Sequence, residues 1–328
     1  MKKNYYIQLL IIGILLIIIG IGYFTQNRQD SNFTKLNIGE VTHSVFYAPL
    51  YVAIENGYFE EEGIDAQLIL TSGADKVSAA VLSNDVEIGF AGAESAIYIY
   101  EKGEKDYLQI FSGLTKRDGQ FILSRKKDDT FNLTDLYGKE ILVGRSSGMP
   151  ALNFLNALKN EGIDPNKINI NYSVDFAALS GTFIGGTGDY VNLFEPNALR
   201  LEQENYGYVV ESIGKLSGEM PYTAFYARKS FIQNNEEIIK SFTRAINKGL
   251  EFTHKNTPEK IASTILNQFP DTSLNDLTML VKRYQENDSW LETSYISEKL
   301  LENLEDIMID NNLLDDYVPY NDLIINYE

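Results

Sequence analysis

The chain has 328 residues, 44% of them hydrophobic, with 28 Lys plus Arg against 46 Asp plus Glu and a formal net charge of −18. Such acidity excludes a phosphate-backbone binder, so no nucleic-acid partner is expected, while the charge of a local site stays open. The chain has no cysteine, which excludes disulfides, thiolate metal sites, cysteine nucleophiles and a lipid-modified N-terminal cysteine.

Lys2 and Lys3 precede an apolar run, residues 7–24, in which Gln8 is the one strongly polar side chain. About 18 helical residues reach about 27 Å, enough for a hydrocarbon core. The lysines place residues 1–6 in the cytoplasm. No clean cleavage site follows the run, so an uncleaved transmembrane helix is favoured over a signal peptide. Either leaves the remainder outside the cytoplasm, and the favoured reading is a single-pass protein of the cell membrane. Residues 25–35 are polar and aperiodic, and read as a linker.

From residue 36 short β-type runs alternate with helical stretches. Strands are predicted at 36–41, 65–71 and 86–91, with helices at 50–56, opened by Pro49, and 76–83. This βαβαβ rhythm implies a parallel sheet with right-handed crossovers. The pattern restarts near Leu133, with strands at 139–144, 170–174, within 188–194 and at 206–212, and a helix at 150–161. Gly185–Gly188 reads as a tight turn rather than a dinucleotide fingerprint. A strand at 223–228 precedes helices at 236–253, 258–268, 273–286 and 297–311. Two α/β lobes follow: residues 36–125 with 222–328 as lobe 1, completed by the helical tail, and 126–221 as lobe 2. Two crossings between them make a hinge, with a cleft at the strand C-termini.

The loops most able to carry chemistry follow a strand and precede a helix, at 42–47, 71–75, 91–95 and 145–150. Each brings small residues and unpaired N–H groups to a helix start, a natural receptor for anions, although any one of them can equally be ordinary capping. RSSGMP, residues 145–150, lacks phosphate-loop spacing, so nucleotide hydrolysis is rejected and no cofactor is expected. Glu94 and Glu195 can be read as an acid–base pair, as acceptors for N–H groups of a ligand, or as structural partners of Arg145 or helix starts. Tyr47 and Tyr222 fall in cleft loops, where a phenol can stack on a flat ligand and donate a hydrogen bond. His43 reads as a structural histidine, His254 as surface, and Trp290, in a polar stretch, as having no ligand role.

Residues 47–68 (YAPLYVAIENGYFEEEGIDAQL), DVEIGFAGAES at 85–95, 133–165, TGDYVNLFEPNALRLE at 187–202 and 218–242 together resemble the solute-binding proteins of ABC importers, of the nitrate/sulfonate/taurine and thiamine-precursor type. The resemblance spans about residues 36–327. It implies a type II periplasmic-binding-protein fold, each lobe a mixed, mainly parallel sheet flanked by helices. It also implies a small-molecule solute and a cognate ABC permease and ATPase as partners, with the protein itself monomeric and not an enzyme. Carried over by position, the ligand contacts are Ser44, Tyr47, Ser72, Gly73, Gly92, Glu94, Ser95, Ser146, Ser147, Gly148, Met149, Glu195, Asn197 and Tyr222. A related branch makes the thiamine pyrimidine with an active-site histidine and a cysteine-rich motif. The chain has Tyr47-Ala48-Pro49 where that histidine would fall, and it has no cysteine. An enzyme using Glu94 or Glu195 as base, and a sensory ectodomain, are the alternative readings. For the solute, Glu94, Glu195 and the tyrosines favour a flat heterocycle with N–H donors, whereas Arg145 and the helix starts favour a sulfonate- or nitrate-type anion.

Overall fold

The computed structural model describes residues 33–71 and 73–327. Residues 7–24, expected to cross a membrane, lie outside the described residues, as does Ser72. Among the described residues no helix is long and apolar enough to span a bilayer.

The strands among the described residues are β1 (Thr34–Glu40), β2 (Ile64–Leu70), β3 (Ile88–Gly92), β4 (Leu108–Thr115), β5 (Phe121–Ser124), β6 (Glu140–Leu142), β7 (Asn169–Asn171), β8 (Tyr190–Leu193), β9 (Tyr208–Ser212) and β10 (Thr223–Arg228). They form two five-stranded sheets, ordered β2-β1-β3-β10-β4 and β7-β6-β8-β5-β9. In the first, β1 pairs in parallel with β2 and β3, as the βαβαβ rhythm requires, and β10 returns antiparallel between β3 and β4. The second repeats the plan. There β6 is parallel to β7 and β8, while β5 runs antiparallel to β8 and β9. The expected two-lobed α/β architecture is present.

The chain leaves the first sheet after Thr115, enters the second at Phe121, and returns between Ser212 and Thr223. Two structural differences from the sequence reading follow. Strands β4 and β5 were not predicted. And β5 belongs to the second sheet, so a lobe boundary at 125/126 falls one strand too late. Strand β4 is buried from end to end, so it carries no alternation of polar and apolar residues to reveal it.

The tail covers the first sheet. Helix Glu236–Lys255 begins with Glu236 and Glu237 and ends with His254 and Lys255, charges placed to suit its dipole. It packs on helix Ala48–Glu55 at Gly249, where an added Cβ would run into the Pro49 carbonyl. Trp290, although in a polar stretch, is buried, and its Nε1 donates to the Phe46 carbonyl at 2.8 Å, which anchors the segment leading to Tyr47. His43 is structural as read, bonding Glu40 at 3.1 Å and the Gln268 carbonyl at 2.9 Å.

Candidate ligand-binding site

The loops at the C-terminal ends of β1, β2, β3 and β6 face one another between the sheets. From the first lobe, Thr42, Tyr47, Gly73, Asp75, Lys76, Gly92 and Glu94 line a cavity of about 250 Å³. From the second come Gly144, Arg145, Gly148, Met149, Asp175, Phe176 and Phe194, and the return crossing adds Tyr222 and Thr223. That volume lies at the small end for ligand sites. The lobes touch at the rim: Tyr98 donates to the Ser147 carbonyl at 2.9 Å, and Arg145 pairs with Asp75 at 3.1 Å. The two lobes are therefore in contact across the mouth of the cavity.

The walls are aromatic. Phe194 of the second lobe lies 5.5 Å from Phe46 of the first and 6.3 Å from Tyr222, and Phe176 packs edge-on against Phe194 at 5.6 Å. The hydroxyl of Tyr222 is buried and makes no hydrogen bond of normal geometry.

Glu94 supplies the cavity's buried charge. It opens helix Glu94–Glu101 directly after β3 and is only 3% exposed. A side chain at Gly92 would collide with its carboxylate, so the glycine makes room for it. Burial pushes the Glu94 carboxyl up to about 7. The backbone N–H groups of Glu94, Met149 and Ser95, together with Arg145, act in the opposite direction. Its Oε2 makes no hydrogen bond within the protein. A buried acceptor in that state is costly unless something donates to it. Asp118, on the outgoing crossing beneath Tyr222, is also pushed up to about 7 by burial, against hydrogen bonds from the backbone and side chain of Gln120. Sequence reading passed over Asp118 because it lies between the two unpredicted strands.

Glu195 differs in kind. It is 1% exposed but does not line the cavity. Arg283 of the tail binds its Oε1 and reaches Glu202 at 2.9 Å, while its Oε2 accepts from the Leu199 N–H at 2.8 Å. It is held by partners of its own and does not share the cavity with Glu94, so the two do not form the acid–base pair that was one of the readings.

Of the other expected contacts within the described residues, Tyr47, Gly73, Gly92, Gly148, Met149 and Tyr222 line the cavity, while Ser44, Ser95, Ser146, Ser147 and Asn197 do not. Ser44 is turned away, donating to the Glu195 carbonyl at 2.6 Å and capping Phe46. Ser95 is buried behind Glu94 beside Tyr226. Ser146 and Ser147 are exposed on the rim, and Asn197 is exposed at the start of helix Asn197–Gln203. Residues 175–177 went unpredicted as lining. Their one signal is an aromatic residue, Phe176, in the loop after a predicted strand.

With this geometry in hand, residues 45–261 match the family described as NMT1/THI5 like. The chain belongs to the NMT1/THI5-like family. YtlA of Bacillus subtilis (strain 168), named provisionally as a binding protein, is 38% identical over 298 residues, covering 90% of this chain and 89% of that protein. The formylaminopyrimidine-binding protein of Halalkalibacterium halodurans is 21% identical over 221 residues, 67% of this chain and 66% of that one. Among solved structures, the alkanesulfonate-binding protein SsuA from Xanthomonas axonopodis pv. citri superposes with a TM-score of 0.71 at 14% identity, covering 89% and 98% of the two chains. The fold is thus that of the periplasmic binding proteins. As an NMT1/THI5-like member, the chain is a substrate-binding protein of the kind that serves ABC-type import systems.

Proposed function

We propose that the protein captures a small flat solute bearing N–H donors, of the aminopyrimidine kind, between its lobes and delivers it to an ABC permease. The bare Oε2 of Glu94 carries this reading, because it offers a buried acceptor to a donor from the solute. Phe176, Phe194, Tyr47 and Tyr222 offer faces and edges for a planar ring. The anion reading loses support at Arg145, whose guanidinium is engaged by Asp75. The distant relative named for formylaminopyrimidine points the same way. Solute gains contacts with both lobes only when they close, so binding favours the closed form. Residues 7–24 are proposed to hold the protein at the membrane with the cleft outside the cytoplasm.

A thermal-shift screen of the purified protein tests the solute class, with formylaminopyrimidine and related aminopyrimidines against methanesulfonate, taurine and nitrate. A true solute at a hundred times its Kd stabilises by about 2.7 kcal/mol. Stabilisation by sulfonates or nitrate with none by the heterocycles would refute the assignment, and turnover of the solute would replace it with the enzyme reading.

A further inference from the structure

We propose that Glu94 is a built-in anion, its carboxylate filling the place between two facing helix starts where a free anion would otherwise bind, so that the cleft rejects sulfonates and other small anions. The inference rests on the proposed solute-binding role of the cleft and adds to it a determinant of selectivity. Helix Glu94–Glu101 of the first lobe and helix Met149–Asn160 of the second, 8 and 12 residues long, both begin at the cavity. Free N–H groups and helix dipoles at two convergent starts form a strong receptor for negative charge. The receptor is already engaged. N–H groups from both helix starts, Glu94 and Ser95 on one side and Met149 on the other, act on the Glu94 carboxyl.

The arrangement is built into the chain on both sides of Glu94. Gly92 clears the space the carboxylate needs, and burial fixes it there with Oε2 unpartnered. Among the described lining residues Arg145 offsets its charge only in part. Arg145 is paired with Asp75, Lys76 is exposed at the mouth, and Asp175 adds further negative charge. Tyr47 and Tyr222 in the lining, Tyr226 behind Glu94 and Tyr98 on its own helix have hydroxyls that burial holds well above the usual phenol range, so none of them balances it as a cation or displaces it as an anion. Above about pH 7, where Glu94 is ionised, an entering anion meets a like charge in low dielectric, whereas a neutral N–H donor meets an acceptor.

The test is titration of methanesulfonate and of formylaminopyrimidine, in parallel, into the wild-type protein and into Glu94→Ser, Glu94→Gln and Glu94→Asp, each checked for a cooperative melt. Wild type is expected to take methanesulfonate at least tenfold more weakly than Glu94→Ser, which frees both the helix-start donors and the space. Glu94→Gln keeps the shape and loses the charge, so it gains a smaller part of that affinity and still reports if Glu94→Ser fails to fold. Glu94→Asp keeps the charge and stays as unreceptive as wild type. Equal methanesulfonate affinity in wild type, Glu94→Ser and Glu94→Gln, including none in any of them, overturns the inference. Equal gain in Glu94→Asp and Glu94→Ser also overturns it, because space rather than charge would then decide. Failure of wild type to take formylaminopyrimidine while the variants gain the anion would instead count against the solute assignment and leave the role of Glu94 standing.

Discussion

Glu94 and Glu195 are both buried where the lobes meet, and their surroundings differ. Glu195 is surrounded by partners: Arg283 on one oxygen, the Leu199 N–H on the other, and Ser44 and Tyr284 on its backbone. Glu94, equally buried, lines the cavity and leaves one oxygen without a partner. Burial alone therefore does not distinguish a structural carboxylate from a binding one. The distinction lies in whether the protein itself satisfies the group. Satisfied, the carboxylate ties the tail helix to the second lobe. Unsatisfied, it holds the cavity ready for a donor from outside.

The sharpest way to break this comparison is to give Glu195 the condition of Glu94. Arg283→Met strips the paired carboxylate of its cation and leaves a buried charge, and is expected to destabilise the fold by about 3 kcal/mol or more in urea denaturation. Little loss would show that Glu195 finds other partners. The reverse experiment relieves Glu94. At pH 8, well above the value near 7 to which burial pushes it, Glu94 is charged in the fold at a cost, and Glu94→Gln is expected to raise stability by about 2 kcal/mol while weakening formylaminopyrimidine at least tenfold.

The same groups set a pH dependence. Glu94 and Asp118 have folded values raised to about 7, above those of the unfolded chain, so their contribution is fully present below the ordinary carboxylate range and is lost as pH climbs through about 7. Solute-free stability should fall between about pH 4.5 and 7.5, and Glu94→Gln should flatten part of that slope. A profile that rises over this window would contradict the burial of both groups. The smallest effect belongs to the rim. Arg145 and Asp75 are each about half exposed, so Arg145→Gln should cost under about 1 kcal/mol, measured by thermal denaturation, and the loss should shrink further at high salt.

What could be read from sequence follows the same division between periodic and unsatisfied features. Helices opened by Pro49 and Pro150 and strands flanked by turn glycines were legible, because local chemistry fixes their ends. Strand β4 was not, since its buried Gln109 and Ser112 break the apolar run that a buried strand should show. At the site, the loops at strand ends were legible as a class, which brought Glu94, Met149 and Tyr222 into the expected set. Which side chain turns inward was not. Ser44 and Glu195 look like ligand contacts until their partners from elsewhere in the fold, each other and Arg283, are seen. Asp175 and Phe176 join the cavity through a loop whose N-cap residue, Asp175, makes no capping bond with its side chain.

The central claim is closure over a solute on Glu94, and a distance between the lobes tests it most directly. Because the chain has no cysteine, spin labels can be placed cleanly at Lys102→Cys and Glu161→Cys, exposed positions at the far ends of the two helices whose starts meet at the cavity. With saturating formylaminopyrimidine, the distance distribution measured by pulsed electron spin resonance should collapse to one narrow population. The solute-free protein, and the Glu94→Gln variant at the same solute concentration, should remain broad. An identical distribution with and without solute in the wild-type protein would contradict the account.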